Sequence, residues 1–303
     1  MKKVVVTGAS GFIGKALTKK LLEKKIEVFA IVRDCKKMDE FKDDPLISIV
    51  EADLKGYSNI DESRLSGDVD VFYHLAWEGT FGAPFKDYKL QMNNSIYSAD
   101  ALDLAIRSES KKFVMASTVN VLETINYFGK SGIAPRYTCI YGTAKLASEM
   151  ICKTIAYQKG IDINVALIAN SYGEGDTSKM LPNVLLTNLL QGKSPDLVEG
   201  NFLYDWIYIE DIVEGLLAIG EKGLNQKTYY LGHETLLTFR EIVENVRDIV
   251  NPNVELKLGV YSDTVNIDYE RIDRTSLRKD TGFSPCSDFK ESILNTVNWI
   301  KKR

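Results

Sequence analysis

Two short stretches hold residue types whose spacing suits chemistry. In Tyr141-Gly142-Thr143-Ala144-Lys145 a phenol and an ammonium stand four apart, which on a helix places them on one face. A phenol that is buried or flanked by a cation can give and take a proton. In Thr7-Gly8-Ala9-Ser10-Gly11-Phe12-Ile13-Gly14, three glycines follow a run of valines and precede an amphipathic segment. That is the strand–turn–helix order that seats a dinucleotide pyrophosphate on a helix N-terminus. Together the two stretches describe hydride transfer at a carbonyl or carbinol, with Tyr141 moving the proton.

The glycine spacing at 8, 11 and 14 is Gly-x-x-Gly-x-x-Gly rather than the commoner Gly-x-Gly-x-x-Gly. The physics is shared: no Cβ at the turn, close backbone approach to phosphate, and tight packing of helix on strand. A plain turn would need only one of these glycines. At the end of the second expected strand the sequence reads Ala30-Ile31-Val32-Arg33-Asp34. Val32 stands where an acid would bind the adenosine 2′-hydroxyl, and Arg33 can form a bidentate contact with a 2′-phosphate. The charge favours NADP(H). A solvated Arg33, or a one-residue shift that gives the ribose to Asp34, would leave NAD(H). Asp53-Leu54 closes the third strand and frames the adenine, and His74-Leu75-Ala76 closes the fourth along the pyrophosphate path. His74 by itself also suits a packed structural histidine.

The elements that must carry these residues are legible as a rhythm. Near-continuous apolar runs at 4–7, 26–32, 47–52, 69–75, 113–117 and 163–169 read as strands of a parallel sheet covered on both faces. Ile13, Leu17 and Leu21 mark the inner face of the first helix, and Ala101, Leu102, Ala105 and Ile106 that of a later one. Such alternation gives a doubly wound α/β fold, a Rossmann sheet. After about Asn170 the rhythm breaks. Gly173-Glu174-Gly175-Asp176 is loop-like, and helices are expected at 181–190, 239–250 and 289–300. Residues 1–169 therefore read as the dinucleotide-binding domain, rejoined around 203–232, with the chain returning to the sheet near 206–209. Residues 170–303 read as a smaller, mixed lobe over the carboxyl edge of the sheet.

At 303 residues, 45% hydrophobic and 26% charged, with a net charge of −4, the chain has an ordinary globular composition. That charge gives no reason to expect nucleic acid or an anionic membrane. No apolar stretch is long enough to span a bilayer, and the apolar run after Met1-Lys2-Lys3 is too short for a signal peptide. Cys35, Cys139, Cys152 and Cys286 are scattered, as reduced thiols of a cytoplasmic protein are. With only His74 and His233 and no clustered ligands, no metal site is expected.

These residues in this order resemble the extended short-chain dehydrogenase/reductases. Within them they resemble the branch of nucleotide-sugar epimerases, dehydratases and 4-ketoreductases. The resemblance rests on residues 7–14, Asp53-Leu54, His74-Leu75-Ala76, Asn93, Ser117-Thr118 and Tyr141-x-x-x-Lys145. Later, Asn170-Ser171-Tyr172-Gly173, residues 205–211, Tyr229-Tyr230-Leu231-Gly232 and Gly282-Phe283-Ser284-Pro285 continue it. It implies that Tyr141 is the acid–base group and that Thr118 shares the substrate oxygen with it. Lys145 would lower the phenol's pKa and hold the nicotinamide ribose, and Asn93 would fix a helix kink and a water. A free tyrosine titrates at about 10, so the Lys145 ammonium, together with the cofactor's cationic nicotinamide when oxidised, is expected to favour phenolate. The resemblance also implies substrate contacts at Asn170 and position 204, and a homodimer through the Tyr141 helix, with Leu146, Met150 and Ile151 on the shared face.

The departures are equally specific. Val119-Asn120 stand where dehydratases of this branch carry an Asp-Glu pair, so water elimination is not expected. Tyr204 replaces an arginine that would hold a sugar diphosphate, no arginine appears in 260–264, and Leu167 replaces another. Lys179 and Arg271 are the cations left as substitutes. The expected activity is NADP(H)-dependent reduction of a 4-keto group on a nucleotide-linked deoxysugar. An NAD-dependent 4-epimerase, or a reductase of a non-sugar ketone, are the alternatives.

Overall fold

A computed structural model describes residues 1–303 other than Ser66, Gly129 and Asn266. Its first half alternates β1 (Lys3–Thr7), α1 (Phe12–Glu23), β2 (Glu27–Val32), β3 (Ile47–Glu51), β4 (Val71–His74), α2 (Tyr88–Arg107) and β5 (Lys112–Thr118). Then come α3 (Asn120–Tyr127), α4 (Thr138–Lys159) and β6 (Asp162–Ile168). Six of these strands and β11 (Thr228–Leu231) form one parallel sheet in the order β11-β6-β5-β4-β1-β2-β3. The order reverses beside β1, so the crevice at the carboxyl ends of β1 and β4 is where such a sheet takes a ligand.

The strands are buried on both faces, as their Val- and Ile-rich runs demand: Val4, Val5 and Val6 are all fully enclosed. Even-numbered β1 residues join one core with Leu17 and Leu21 of α1. Val5 joins the other with Phe72, Phe113 and Ala105 of α2. The two cores thus follow directly from the period of two along each strand.

The second half adds β7 (Asn170–Tyr172), α5 (Leu181–Leu190), β8 (Asp196–Val198), β9 (Leu203–Tyr204), β10 (Trp206–Tyr208) and α6 (Ile209–Lys222). After β11 come β12 (Leu237–Thr238), α7 (Phe239–Val250), β13 (Lys257–Tyr261), α8 (Ser276–Thr281) and α9 (Phe289–Lys301). Pro182 sits in the first turn of α5, where its missing N–H costs nothing. Thr238 and Glu241 close a capping box on α7.

One expectation is corrected here. The chain does not rejoin the main sheet near 206–209: β10 pairs in parallel with β7, forming a small separate sheet. The return comes at β11, whose Tyr229, Tyr230 and Leu231 pair with Ala166, Leu167 and Ile168 of β6. Trp206, Ile207 and Tyr208 are apolar and buried in either setting, so composition alone could not separate the two pairings.

Candidate active site

The glycine loop and the end of β4 are pressed together. Gly8 has φ of +70°, and a Cβ there would lie 2.8 Å from the Ala76 nitrogen. A Cβ on Gly14 would collide with the Gly8 carbonyl. Both positions therefore exclude side chains, one through the turn and the other through helix–strand contact. Gly11 begins α1 without a side-chain cap, and its first turn carries no acid. The N–H groups of Phe12, Ile13 and Gly14 are left for an anion, so the residues present fit a pyrophosphate.

A chain of hydrogen bonds ties this loop to the segment beyond β4 and to α2. The Ala76 N–H donates to the Thr7 hydroxyl at 3.3 Å, which lies 2.9 Å from His74 Nδ1. His74 Nε2 lies 3.0 Å from Ser98 Oγ, and that hydroxyl donates to the Asn94 carbonyl. The chain assigns the histidine its Nε2–H tautomer, with Nδ1 accepting from Thr7. Burial holds the imidazole neutral, down to about 3. His74 is thus the packed, structural histidine, with only Leu75 and Ala76 facing the glycine loop.

Along the adenosine end, Val32 is buried and Arg33 is exposed, with its guanidinium 3.6 Å from Glu78. Asp34 caps the following turn by accepting from the Lys36 N–H. Asp53 caps its own turn through Lys55, whereas Leu54 is buried in the core behind the site.

Tyr141 and Lys145 lie on α4, and Thr118 ends β5. Thr118 lies beside the Tyr141 phenol, where it favours the ionised form, while Ser117 turns the other way and donates to the buried Glu149 carboxylate. Alternation along the strand thus selects Thr118. Lys145 is buried and donates to the Ala116 carbonyl at 2.9 Å. The protein's own surroundings oppose the expected phenolate: burial pushes the Tyr141 phenol well above its ordinary range and pulls Lys145 down to about 7, with Glu149 opposing the latter.

Asn93 is not brought to the site: it is exposed on α2. The adjacent Asn94 is buried, accepting from the Glu78 N–H and donating to the Glu78 carbonyl. Three residues earlier, fully buried Gln91 donates to the carbonyls of Gly79 and Pro84 and accepts from the Trp77 indole N–H. These two amides fix the loop 77–86 across Tyr141. Phe85 packs on the Tyr141 ring at 4.7 Å between centroids, and Trp77 meets it edge-on at 5.9 Å. Sequence reasoning missed this aromatic cover. Its signal was Gln91 and Asn94, an i, i+3 pair of amides at the start of a helix face that runs on through Ser95 and Ser98 to Ala101 and Ala105.

A second wall comes from the later half. Tyr204 donates to the Asn170 Oδ1 at 3.1 Å, and Asn170 Nδ2 donates to the Asp205 carbonyl. The Tyr204 phenol is pushed up to about 12 by burial, with Arg136 and Glu123 acting on it in opposite senses. Fully buried Glu123 of α3 takes two hydrogen bonds from Arg136, at 2.6 and 2.8 Å, and a third from Thr138. Arg136 is thus a cation beside Tyr204 that sequence reasoning passed over. Arg271 reaches Asn126 of the same helix at 3.5 Å, whereas Lys179 is simply exposed. Leu167 is buried within the sheet.

Among the described residues no cluster of His, Cys, Asp or Glu could hold a metal, and no helix is long and apolar enough to cross a membrane.

The glycine cradle, the Tyr141–Lys145 helix and the sheet order together define a dinucleotide-dependent enzyme of the extended short-chain dehydrogenase type. The profile of the NAD dependent epimerase/dehydratase family matches residues 4–232, and the chain belongs to that family. It is 24% identical to the dTDP-glucose 4,6-dehydratase of Streptomyces antibioticus, over 98% of this chain and 92% of that one. The dTDP-glucose 4,6-dehydratase of Streptomyces venezuelae, a double mutant solved with NAD bound, superposes with a TM-score of 0.81. It shares 20% identity over 100% of this chain and 97% of its own. The UDP-glucose 4-epimerase of Thermotoga maritima, solved with UDP-glucose, gives 0.77 at 20% identity over 99% of both chains.

Proposed function

We propose that this enzyme reduces the 4-keto group of a nucleotide-linked deoxysugar, with NADPH as the hydride source. The observation that carries the reading is the placement of Tyr141 and Lys145 one turn apart on α4 against Thr118 at the end of β5, with burial raising the phenol so that it can give a proton to a substrate oxygen. Val119 is buried at the start of α3 and Asn120 follows it, so the residues after Thr118 bring no acid and base for removing water. The dinucleotide supplies hydride. The protein's own groups then orient the carbonyl with Thr118, protonate it from Tyr141, and hold Lys145 within one helical turn to recharge the phenol. Arg33, exposed at the end of β2 with no acid before it, favours a 2′-phosphate.

An NAD-dependent 4-epimerase is the second reading, favoured by the NAD held in the Streptomyces venezuelae neighbour and by the Thermotoga maritima epimerase. The deciding experiment releases any dinucleotide by denaturation, identifies it, and titrates the emptied protein with NADPH and NADH. Exchangeable binding that prefers NADPH and is lost in Arg33→Ala supports the reductase, to be followed by a panel of nucleotide 4-ketosugars. Stoichiometric retained NAD with no preference moves the reading to the epimerase. Oxidation of NADPH by simple ketones but by no ketosugar moves it to a non-sugar reductase.

In this reading residues 1–169, with 203–232, hold the dinucleotide and 170–303 the sugar. Exposed Met92 and Ile96 of α2, beside Met150 and Ile151 of α4, supply an apolar face for a homodimer. Sedimentation of wild type and Ile96→Glu tests that face.

A further inference from the structure

The mechanism needs a charged Lys145, yet its surroundings work against the charge. The side chain is enclosed, and burial acts on it more strongly than the attraction of Glu149. Around it, from α4, the Tyr141 phenol and the Cys152 thiol are both pushed up by burial, and from β4 His74 is neutral. Among the described residues Glu149 acts most strongly to keep Lys145 charged, with Cys152 adding to it, and the two together do not outweigh burial. Glu149 sits one turn further along α4, is itself raised by burial, and is bonded by Ser117.

The ammonium lies directly against the face of Trp77. Lys145 Nζ is 3.8 Å from the centroid of that ring, against 5.9 Å from the Tyr141 ring. The indole cannot swing away freely, because its N–H is bonded to the enclosed Gln91 amide at 2.8 Å. Gln91 is in turn bonded at both ends of the loop that covers Tyr141. The ring therefore meets both catalytic side chains, its face on the cation and its edge on the phenol.

We propose that Trp77 is a positioning residue for Lys145: its indole face, fixed by Gln91, holds the ammonium in place and keeps it charged. The π-face of an indole attracts a desolvated cation more strongly than any other aromatic face does. It acts on the charged form alone, and so opposes burial. The effect is separable from packing by its sign. Losing a cation–π contact lowers the pKa of the amine, whereas admitting water to a dry site raises it.

The test reads Lys145 itself, by carbon NMR of protein labelled at its lysine side chains, with the signal assigned by its absence in Lys145→Met. Trp77→Leu is expected to lower the titration midpoint by about one pH unit. Trp77→Phe, which keeps a ring and the cover, should move it down by less than half as much. Phe85→Leu opens the same cover without touching Lys145 and should not lower it. An unmoved or raised midpoint in Trp77→Leu overturns the proposal. If Trp77→Leu does not fold, an unmoved or raised midpoint in Trp77→Phe does the same. So does a downward shift in Phe85→Leu equal to that in the Trp77 variant. The proposal rests on the acid–base reading of Tyr141 and Lys145 only for its effect on turnover. A midpoint that moves while the pH profile of NADPH oxidation stays fixed keeps the Trp77 contact and defeats that reading instead.

Discussion

The two ends of the active site are built in different ways. At the dinucleotide end, recognition is backbone against backbone: the Gly8 turn, the open N-terminus of α1 and the Leu75-Ala76 edge all approach within a Cβ's radius. At the end proposed for the substrate, the groups are side chains from five separate segments, Glu123, Arg136, Asn170, Tyr204 and Arg271. Backbone recognition needs particular residues at fixed local spacing, so it persists wherever the fold does. A wall of side chains can be rebuilt one contact at a time, and here its expected arginine at 204 has become a phenol. The fold is shared with a dTDP-glucose 4,6-dehydratase and a UDP-glucose 4-epimerase, so the sheet by itself does not separate such activities.

Removing the reacting group should give the largest effect. Tyr141→Phe is expected to cut turnover by about 10²- to 10⁴-fold while leaving dinucleotide affinity within a factor of about three. Stopped-flow reduction and fluorescence titration check the two halves. Next, Gly14→Val at the dinucleotide end should weaken dinucleotide binding by about 100-fold or more, because its side chain strikes the Gly8 carbonyl. A variant that folds and binds normally would dissolve the distinction drawn between the two ends.

Glu123→Ala should cost about 3–5 kcal/mol in urea unfolding, since it leaves Arg136 without its carboxylate in a half-buried setting. Dinucleotide affinity should not change. Acid should act through His74. Its folded pKa of about 3 lies below the unfolded value of 6.5, so the unfolded chain binds the extra proton first. The stability this residue contributes is complete above about pH 6.5 and declines as the pH falls toward 3. A flatter stability profile in His74→Asn over that window checks the sign. The smallest effect is expected for Tyr204→Phe, which removes one hydrogen bond to Asn170 worth about 1 kcal/mol. KM should rise about fivefold with kcat unchanged.

The same contrast explains what could be read from the sequence. The strands of the first half stood out because each is apolar throughout and the glycines punctuate them. Tyr141 and Lys145 stood out because four residues make one helical turn. Thr118 was separable from Ser117 only through the family resemblance, and the structure adds the reason: Ser117 faces Glu149. Asn93 and Asn94 could not be told apart, since neighbouring amides differ only in which side of α2 they take. Arg136 and Glu123 are thirteen residues apart, across a loop with no periodicity, so nothing local joins them. The enclosure of the phenol was hidden for a related reason. Lys145 is visible four residues away, but the Trp77–Phe85 loop that packs on Tyr141 is far off in sequence.

Gln91 has a consequence for how such an enzyme can diversify. Its donors go to the carbonyls of Gly79 and Pro84, not to side chains, so the loop's position does not depend on what lies between them. Thr80, Phe81 and Ala83 can be exchanged while the ends stay where they are. Gly79 and Gly82 are the constraints: their φ values of +76° and +72° disfavour other residues, and at Gly79 the Pro84 ring also lies 2.9 Å from any Cβ. The segment is therefore a replaceable insert on a fixed mount, and what covers Tyr141 can drift through those three positions without a new fold having to be found.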